Sequence, residues 1–260
     1  MPIPNILYLD IETAPKLAYV WRFFKENIGA KQVKEHGHIM SFSAIWNDDA
    51  DFLCHYHENR TDDDSYITQR LIDYLDKADI VIGHNVDKFD CNTINGRALV
   101  MGIRPPSPYK IVDTWQSAKK HFKFESNSLE YLSKVLDCNN KKLAHAKFPG
   151  FVLWVECLAQ NSAAWEEMKE YNIVDTLTVR DVYKKMRPWI NNHPNFGVFM
   201  EEDEPVCPKC GSKHLQRRGY AYTGVGKYQR FCCTDCGGWT RSRFSEFPKD
   251  KRQHLMVNAV

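Results

Sequence analysis

The sequence predicts a mixed α/β domain over residues 1–200, followed by a small cysteine-rich module over residues 205–260. Short apolar segments rich in β-favouring residues alternate with amphipathic helical segments in the first part. Two Cys-x-x-Cys pairs occur in the second part. The charge also changes sign, because residues 205–260 contain 11 Lys and Arg against 3 Asp and Glu, whereas residues 1–204 contain 24 against 30. We therefore expect an acidic body and a basic module that meets a polyanion.

The composition of the 260 residues is that of a globular protein with a hydrophobic core. Hydrophobic residues make up 43% of the chain, and the net charge is +2. The N-terminus shows no basic segment followed by an apolar one, which argues against a secretory signal. No apolar run approaches the length of a membrane span. Four cysteines outside the C-terminal cluster are scattered, as expected of reduced thiols in a cytoplasmic protein.

The first predicted strand begins at Asn5 and ends in two carboxylates, Asp10 and Glu12, before Pro15. Alternate side chains of a strand share a face, so the two carboxylates are expected to point the same way, roughly 7 Å apart. Two acids at the end of a buried strand are costly unless a cation lies between them, and one interpretation is a divalent metal. The other interpretation is a strand end that dips into solvent.

The remaining predicted elements follow in an order typical of a mixed sheet with an antiparallel hairpin near its N-terminus. Strands are predicted at 39–46, 51–56, 79–83 and 110–113, with an Asn-Asp-Asp turn at 47–49 between the first two. Helices are predicted at 62–77, 90–101, 128–136 and 162–186, and one more begins at residues 113–114. Residues 16–37 are expected to form a basic loop with a short helix, and residues 141–151 are expected to be irregular.

Two further segments place acidic residues near the ends of predicted elements. Asn85, Phe89 and Asp90 follow a buried strand, where the N-terminus of a helix stabilises an anion or a metal-held carboxylate. Tyr171 and Asp175 lie one turn apart on one face of the last helix. Each residue taken alone has an ordinary interpretation as a loop acid, a core tyrosine or a solvated aspartate.

Taken in order, these segments resemble the three exonuclease motifs of the DnaQ-like, or DEDD, superfamily in its tyrosine-bearing subclass. The motifs read Asp-x-Glu, Asn-x-x-x-Phe-Asp and Tyr-x-x-x-Asp. The resemblance covers roughly residues 5–190 and extends to stand-alone exonucleases related to the proofreading domain of family-B polymerases. It implies a ribonuclease H-like fold, a mixed sheet flanked by helices. The 3′→5′ polarity rests on this resemblance alone.

The resemblance also implies a role for each motif residue. Asp10, Glu12, Asp90 and Asp175 would hold two divalent cations, Mg²⁺ or Mn²⁺, and Tyr171 would orient the attacking water. Paired cations relieve charge on the attacking and leaving oxygens of a phosphodiester, and carboxylates are ligands that such hard cations prefer. A tyrosine hydroxyl is a weak base near neutral pH, which favours orientation over proton abstraction.

Other polar residues near these motifs have structural interpretations. Asp87 is interpreted as a solvent-facing loop residue rather than as the metal ligand. His84 and Asn85 either border a substrate groove or shape the turn before the helix. Asp113 ends a predicted strand and is interpreted as a helix cap.

The C-terminal cysteines form two Cys-x-x-Cys knuckles separated by 22 residues. Both spacings match a structural zinc site of four thiolates. The four predicted zinc ligands are Cys207, Cys210, Cys233 and Cys236. A glycine follows the second cysteine of each pair, as a tight turn under a metal requires. Cys232 is expected to be spare, and His214 is a minor alternative ligand.

The segment between the knuckles resembles a zinc ribbon with two short strands and a glycine-containing turn. Four basic residues there are predicted to bind nucleic acid: Arg217, Arg218, Lys227 and Arg230. Tyrosine and tryptophan side chains interleave with these cations, which suits phosphate contact and base stacking. The same aromatic residues equally suit the packing of a domain with a very small core.

Together with the resemblance, the residues predict a metal-dependent 3′→5′ exonuclease that hydrolyses phosphodiester bonds at DNA 3′ ends. Single-stranded DNA or DNA 3′ ends are the expected partners, and no membrane contact is expected. One alternative is an exoribonuclease of the same superfamily, since no sequence feature distinguishes the two sugars. Another is a non-catalytic nucleic-acid-binding or recruitment protein, although the retention of all five motif residues argues against a degenerate site. The ribbon could also tether the nuclease to replication or recombination proteins.

Overall fold

The computed structural model describes residues 4–47, 54–140, 147–257 and 259. The chain divides into two compact units, and the first of them is Asn5–Tyr183. The second unit consists of Met1–Pro4 together with Lys184–Val260. No helix within the described ranges is both long and apolar enough to cross a membrane.

A five-stranded mixed sheet forms the centre of the first unit. The strands of this unit are β1 (Ile6–Thr13), β2 (Leu17–Ala18), β3 (Val33–Glu35), β4 (Ile39–Trp46), β5 (His55–Glu58), β6 (Ile80–Gly83) and β7 (Lys110–Asp113). The order in the sheet is β5-β4-β1-β6-β7, while β2 and β3 form a separate antiparallel pair. Strand β1 runs antiparallel to β4 and parallel to β6, so it is the central strand. The predicted ribonuclease H-like mixed sheet with an antiparallel N-terminal hairpin is confirmed.

Six α-helices of the first unit lie in its described residues, besides a short 3₁₀ helix at Ala30–Gln32. They are α1 (Ser65–Lys77), α2 (Asp90–Val100), α3 (Thr114–His121), α4 (Leu129–Val135), α5 (Val152–Leu158) and α6 (Ser162–Met186), the last of which ends three residues inside the second unit. The predicted bounds of α6 and β4 agree with the structure at both ends. Helix α5 was not predicted, because its seven residues are too few to show a helical period clearly. The strand predicted at 51–56 corresponds to β5, which covers His55–Glu58, while residues 48–53, including most of the turn predicted at 47–49, and residues 141–146 lie outside the described residues.

The two faces of β1 have different neighbours. Leu7, Leu9 and Ile11 point into a core cluster shared with α1 and α2. The alternate residues point to the opposite face, where the ring of Tyr8 lies 5.9 Å from the ring of Tyr183 on α6, measured between centroids. The alternation of a strand therefore places Asp10 on the α6 side.

A buried ion pair joins the start of α1 to α2 and β4. The carboxylate of Asp64 is fully buried and accepts a hydrogen bond of 2.8 Å from Nε of Arg97. It also accepts one of 2.9 Å from the backbone N–H of Ile39. Because both partners of this carboxylate are strong donors, the buried charge is compensated within the core.

The second unit contains a three-stranded antiparallel sheet. Its elements are β8 (Leu215–Thr223), β9 (Gly226–Cys233), β10 (Trp239–Arg241) and a short helix α7 (Lys249–Gln253). The sheet order is β10-β9-β8. Within these three strands only Gly226 and Cys233 are buried. The sheet therefore has almost no hydrophobic core of its own.

Candidate functional site

Three carboxylates meet near the C-terminal end of β1, on the face of the strand that packs against α6. Asp10, Glu12 and Asp175 each offer one oxygen, and these oxygens lie within 4.8 Å of one another. Asp175 is 3% exposed, and the two strand residues are half-buried. Carboxylates held this close repel one another unless a cation lies between them. The donor set therefore suits a hard divalent cation, and we call it the acidic cluster.

Asn172 on α6 orients the carboxylate of Asp10 in this cluster. Its Nδ2 donates a hydrogen bond of 2.6 Å to Oδ2 of Asp10 and one of 3.2 Å to the carbonyl oxygen of Asp10. Its Oδ1 accepts a hydrogen bond of 3.2 Å from Oγ of Ser41, which fixes the direction of the amide. The backbone carbonyl of Asn172 also accepts a bond of 2.7 Å from Oγ of Ser43.

Sequence reasoning missed Asn172 although a signal was available. Ser41 and Ser43 interrupt an otherwise apolar strand, and buried hydroxyl groups must find partners. Those partners had to come from the helix packed on that face of the sheet. Asn172 is the one polar residue between Tyr171 and Asp175 in the motif of that helix.

Asp90 supports the middle of the Asp10–Glu12 motif. It is the first residue of α2 and is 3% exposed. Its Oδ1 accepts a hydrogen bond of 3.0 Å from the N–H of Ile11, the residue between the two strand carboxylates. Burial raises the pKa of Asp90 to about 7, although the bond from Ile11 opposes the shift. Asp90 is not a member of the mutually close acidic cluster, so its role as a ligand stays a prediction.

Tyr171 is buried beside the cluster, and its ring packs against α5. The ring centroids of Tyr171 and Trp154 are 5.8 Å apart with an angle of 80° between the planes, an edge-to-face contact. Trp154 also lines an open pocket of about 400 Å³ at the end of β1. The other lining residues are Thr13, Ala14, Pro15, Gly150 and Phe151. The unpredicted helix thus supplies one wall of a cavity next to the motif tyrosine.

Asp113 is a helix cap, as predicted. Its Oδ1 accepts a hydrogen bond of 3.0 Å from the N–H of Gln116 in the first turn of α3 and one of 3.1 Å from the N–H of Asn85. The prediction that Asp87 faces solvent is wrong. Asp87 is half-buried, and its Oδ2 accepts a hydrogen bond of 3.0 Å from Nε2 of Gln116. The carboxylate thereby fastens the turn before α2 to the start of α3.

The backbone of the turn before α2 restricts which residues can occupy it. Asn85 has a φ of +64°, a conformation that asparagine tolerates better than most residues. A Cβ at Gly83 would lie 2.4 Å from Cβ of Val86, so only glycine fits there. Nδ1 of His84 lies 2.9 Å from Oγ1 of Thr114. These contacts give His84 and Asn85 a structural role in the turn.

Comparison with known proteins places this site in a family. Residues 26–187 match the RNase_H_2 family, described as part of the RNase H superfamily, and the match spans more than half of the chain. The protein belongs to the RNase H superfamily. Nucleases of this superfamily use divalent metals, and the acidic cluster of this member supplies oxygen donors suited to them. No curated protein sequence matches the chain.

The same fold occurs in a solved DNA polymerase structure. The family B DNA polymerase from the hyperthermophilic archaeon Pyrobaculum calidifontis is similar to this chain with a TM-score of 0.54 and 13% sequence identity. The similarity covers 72% of this chain and 25% of the polymerase chain. At this identity the likeness concerns the fold, and the matched part of this RNase H superfamily chain spans only a quarter of the polymerase.

The four cysteines of the two knuckles come together in the second unit. Each offers a sulfur within 4.8 Å of the other three. Sγ of Cys207 lies 3.6 Å from Sγ of Cys236, and Sγ of Cys210 lies 3.7 Å from Sγ of Cys233. Four thiolates placed tetrahedrally about 2.3 Å from a zinc ion would be separated by about 3.8 Å, so the spacing is compatible with zinc.

The surroundings of this four-cysteine cluster agree with two metal-binding knuckles. Gly211 and Gly237 have φ values of +76° and +73°, conformations in which glycine avoids the strain of a side chain. Sγ of Cys232 points toward the carbonyl of Cys233, and Cys232 lies outside the cluster. Nδ1 of His214 lies 2.9 Å from a carboxylate oxygen of Asp235, so this histidine has another partner.

The four basic residues predicted to bind nucleic acid lie on opposite faces of the three-stranded sheet of the second unit. Arg217 pairs with Phe231, which shares the face of Lys227 on β9. Arg230 lies on the opposite face, directly across from Arg241 on β10. Arg218 belongs to that second face, since its guanidinium donates a hydrogen bond of 3.0 Å to Gln216, which pairs with Cys232.

The second face presents a row of three arginines across the three strands, which we call the arginine row: Arg218, Arg230 and Arg241. The guanidinium carbon of Arg230 lies 4.9 Å from the ring centroid of Trp239, and that of Arg241 lies 3.9 Å from the ring of Tyr228. Like charges opposite each other destabilise a sheet. Among the described residues no carboxylate forms an ion pair with this row, so an anionic ligand would relieve the repulsion.

Proposed function

We propose that this RNase H superfamily protein is a metal-dependent 3′→5′ exonuclease that hydrolyses phosphodiester bonds at DNA 3′ ends. The observation that carries the proposal is the acidic cluster of Asp10, Glu12 and Asp175, with Asp90 and Tyr171 packed around it. These five residues occur in the order of the three motifs of tyrosine-bearing DEDD exonucleases. The fold shared with a family B DNA polymerase agrees with that resemblance.

The five motif residues are proposed to have separate roles in hydrolysis. Asp10, Glu12 and Asp175, with Asp90 beside them, would hold two cations, Mg²⁺ or Mn²⁺. Bound cations relieve the charge that develops on the attacking and leaving oxygens of the phosphodiester. Tyr171 orients the attacking water through its hydroxyl group, and Trp154 fixes the plane of its ring.

The supporting side chains hold this arrangement before a substrate binds. Asn172 holds the Asp10 carboxylate in one orientation through its 2.6 Å bond. A fixed ligand orientation lowers the reorganisation needed when cations and substrate bind.

The second unit is proposed to hold one structural zinc through the four-cysteine cluster and to retain nucleic acid. We place the boundary of the exonuclease domain at residue 200 and that of the ribbon at residue 205. Within the described ranges no carboxylate forms an ion pair with the arginine row or with Arg217 and Lys227. The arginine row has the larger share of the positive charge, with three guanidinium groups on three adjacent strands.

Digestion of end-labelled nucleic acid tests the catalytic proposal. The full chain is incubated with single-stranded DNA, duplex DNA and RNA, each labelled at the 5′ or the 3′ end, in Mg²⁺ or Mn²⁺. A 5′ label is expected to appear in a ladder of shortened DNA, whereas a 3′ label is released at once as mononucleotide. Asp10→Ala is expected to lose on the order of 10³-fold or more in rate, because cation stabilisation amounts to several kcal/mol.

A matched control is Asp87→Asn, which removes a nearby charge but retains an acceptor for Gln116. It is expected to digest DNA at the rate of the wild type. Equal turnover by Asp10→Ala and the wild type would contradict the assignment of the cluster. Digestion of RNA but not of DNA would show that the substrate is RNA rather than DNA.

The salt dependence of binding distinguishes the two faces of the ribbon. Each phosphate contact contributes about −0.7 to the slope of log K against log salt for a single strand. The Arg230→Ala/Arg241→Ala double variant is therefore expected to reduce the magnitude of the slope by about 1.4. The Arg217→Ala/Lys227→Ala variant tests the other face in the same way. Unchanged slopes for both would favour a protein-binding role for the ribbon.

A further inference from the structure

Strands β2 and β3 belong to a hairpin, residues 14–38, that extends the antiparallel pair of β1 and β4 beyond the five-stranded sheet. The N–H of Ala14 donates a hydrogen bond of 2.8 Å to the carbonyl of His38, and Leu17 pairs with Glu35 further along. The hairpin therefore begins directly after the strand that carries two carboxylates of the acidic cluster. Residues 19–31 form its tip.

Three aromatic side chains at the tip are almost fully exposed. Trp21 is 93% exposed, Phe23 is 95% exposed and Phe24 is 84% exposed. Single exposed apolar residues are common on protein surfaces, but three large rings within four residues mark a contact surface. Such rings bury 150–250 Å² each when a partner covers them.

The backbone of the tip is held in one conformation by two side chains. Oε2 of Glu26 accepts hydrogen bonds of 2.9 Å from the N–H of Trp21 and 2.8 Å from the N–H of Arg22. Nε2 of Gln32 donates bonds of 2.9 Å to Oε1 of Glu26 and 3.0 Å to the carbonyl of Tyr19. The aromatic rings are thus presented by an ordered loop, which lowers the entropy lost when a partner binds.

The hairpin is basic although the surrounding unit is acidic. It contains five Lys and Arg against two Glu, whereas residues 1–204 as a whole have an excess of acids. One glutamate holds the tip, and the other, Glu35, forms an ion pair of 3.3 Å with Lys34. Arg22 and Lys25 alternate with the rings, and no ion pair joins either of them to a described carboxylate. This combination suits nucleic acid, in which phosphates meet the cations and unpaired bases stack on the rings.

We propose that the hairpin tip binds unpaired nucleotides of the strand whose end lies at the acidic cluster. Bases stack on Trp21, Phe23 and Phe24, and the side chains of Arg22 and Lys25 contact phosphates. The inference rests on the proposed nuclease function, since it takes the ligand to be the substrate strand. Every base has a π-face, so the tip is expected to bind without sequence preference.

Binding and hydrolysis measured separately test this inference. Fluorescence anisotropy of a labelled single-stranded oligodeoxynucleotide, without added Mg²⁺ or Mn²⁺, gives the affinity of the full chain. Trp21→Ala and Phe23→Ala are each expected to weaken binding by about 5-fold or more, the effect of losing one stacked base. Trp21→Phe is expected to retain most of the affinity. Tyr66→Ala removes a ring that is 72% exposed on α1 and is expected to bind as the wild type does.

The p-nitrophenyl ester of thymidine 5′-monophosphate, a substrate with no second nucleotide to stack on the tip, separates this inference from the nuclease proposal. Wild type, Trp21→Ala and Phe23→Ala are expected to hydrolyse it at equal rates. Unchanged oligonucleotide affinity in both alanine variants overturns the inference, and so does an equal loss on the ester. A wild-type dimer that dissociates on Trp21→Ala, with nucleic-acid affinity unchanged, would assign the tip to contact between copies and also overturn it. A wild type that cleaves neither substrate contradicts the nuclease function alone, because the affinity comparison still stands.

Discussion

The acidic cluster and the four-cysteine cluster are built in opposite ways. The cysteines come from two tight turns within 30 residues, whereas the carboxylates come from β1 and α6, on which Asp10 and Asp175 are 165 residues apart in sequence. The acidic cluster is placed by a sheet and helices that pack a large core. The cysteine cluster lies at the end of a sheet whose strands have almost no buried apolar side chains. A metal is therefore expected to assemble the ribbon, whereas the folded core assembles the acidic cluster before any metal binds.

The largest expected effect follows from removing one of the four proposed zinc ligands. Cys207→Ser is expected to lose zinc and to unfold the ribbon, because structural zinc supplies roughly 10–16 kcal/mol in small metal-binding modules. The five-stranded sheet is expected to remain folded and the acidic cluster to remain intact. Zinc content by atomic absorption, with limited proteolysis of residues 205–260, measures both parts.

The neighbouring cysteine provides the control for that variant. Cys232→Ser removes a thiol that lies outside the cluster and is expected to retain one zinc per chain. A ribbon that resists proteolysis in Cys207→Ser would show that zinc does not hold the module together.

The next effect concerns the core that supports the acidic cluster. Arg97→Met leaves the Asp64 carboxylate buried without its cation and is expected to lower the free energy of unfolding of the first unit by about 3 kcal/mol. This is the lower end of the usual range, because the N–H of Ile39 still donates to the carboxylate. Zinc content is expected to be unchanged. Denaturant unfolding measures the loss, and exposed Arg104→Met serves as a control that should be neutral.

The sequence predicted the two clusters for different reasons. Cysteine spacing alone predicts the four cysteines that come together, since both knuckles are local turns whose geometry follows from a few residues. Asp10 and Glu12 could be paired from strand alternation, but their approach to Asp175 depends on α6 packing against the sheet, which only the motif resemblance indicated. The acid cap at Asp113 followed from its position before a helix.

Tertiary contacts account for what the sequence did not predict. Asp87 was misassigned because its partner, Gln116, lies on another element 29 residues away. Asn172 was overlooked because its role depends on hydroxyl groups of β4 and a carboxylate of β1. Helix α5 and its Trp154 were missed because seven residues give a weak periodic signal. In each case the deciding contact joins parts of the chain that local patterns do not connect.

The smallest expected effect follows from removing the side chain that orients Asp10 in the acidic cluster. Asn172→Ala removes the donor that orients Asp10 and is expected to lower kcat/KM by roughly 10- to 100-fold, with weaker Mn²⁺ binding. Thr178→Val is the control, since this buried hydroxyl bonds only within α6 in the described contacts. Activity of Asn172→Ala equal to that of the control would show that Asp10 needs no such support.

Counting bound metals tests the contrast between the two clusters most directly. The zinc-loaded full chain is titrated with Mn²⁺ in the presence of thymidine 5′-monophosphate and followed by calorimetry. The wild type is expected to bind two Mn²⁺ per chain, Asp10→Ala is expected to bind fewer, and both are expected to retain one zinc. A wild type that binds no Mn²⁺, or an Asp10→Ala variant that binds as much as the wild type, would contradict the proposed two-cation site.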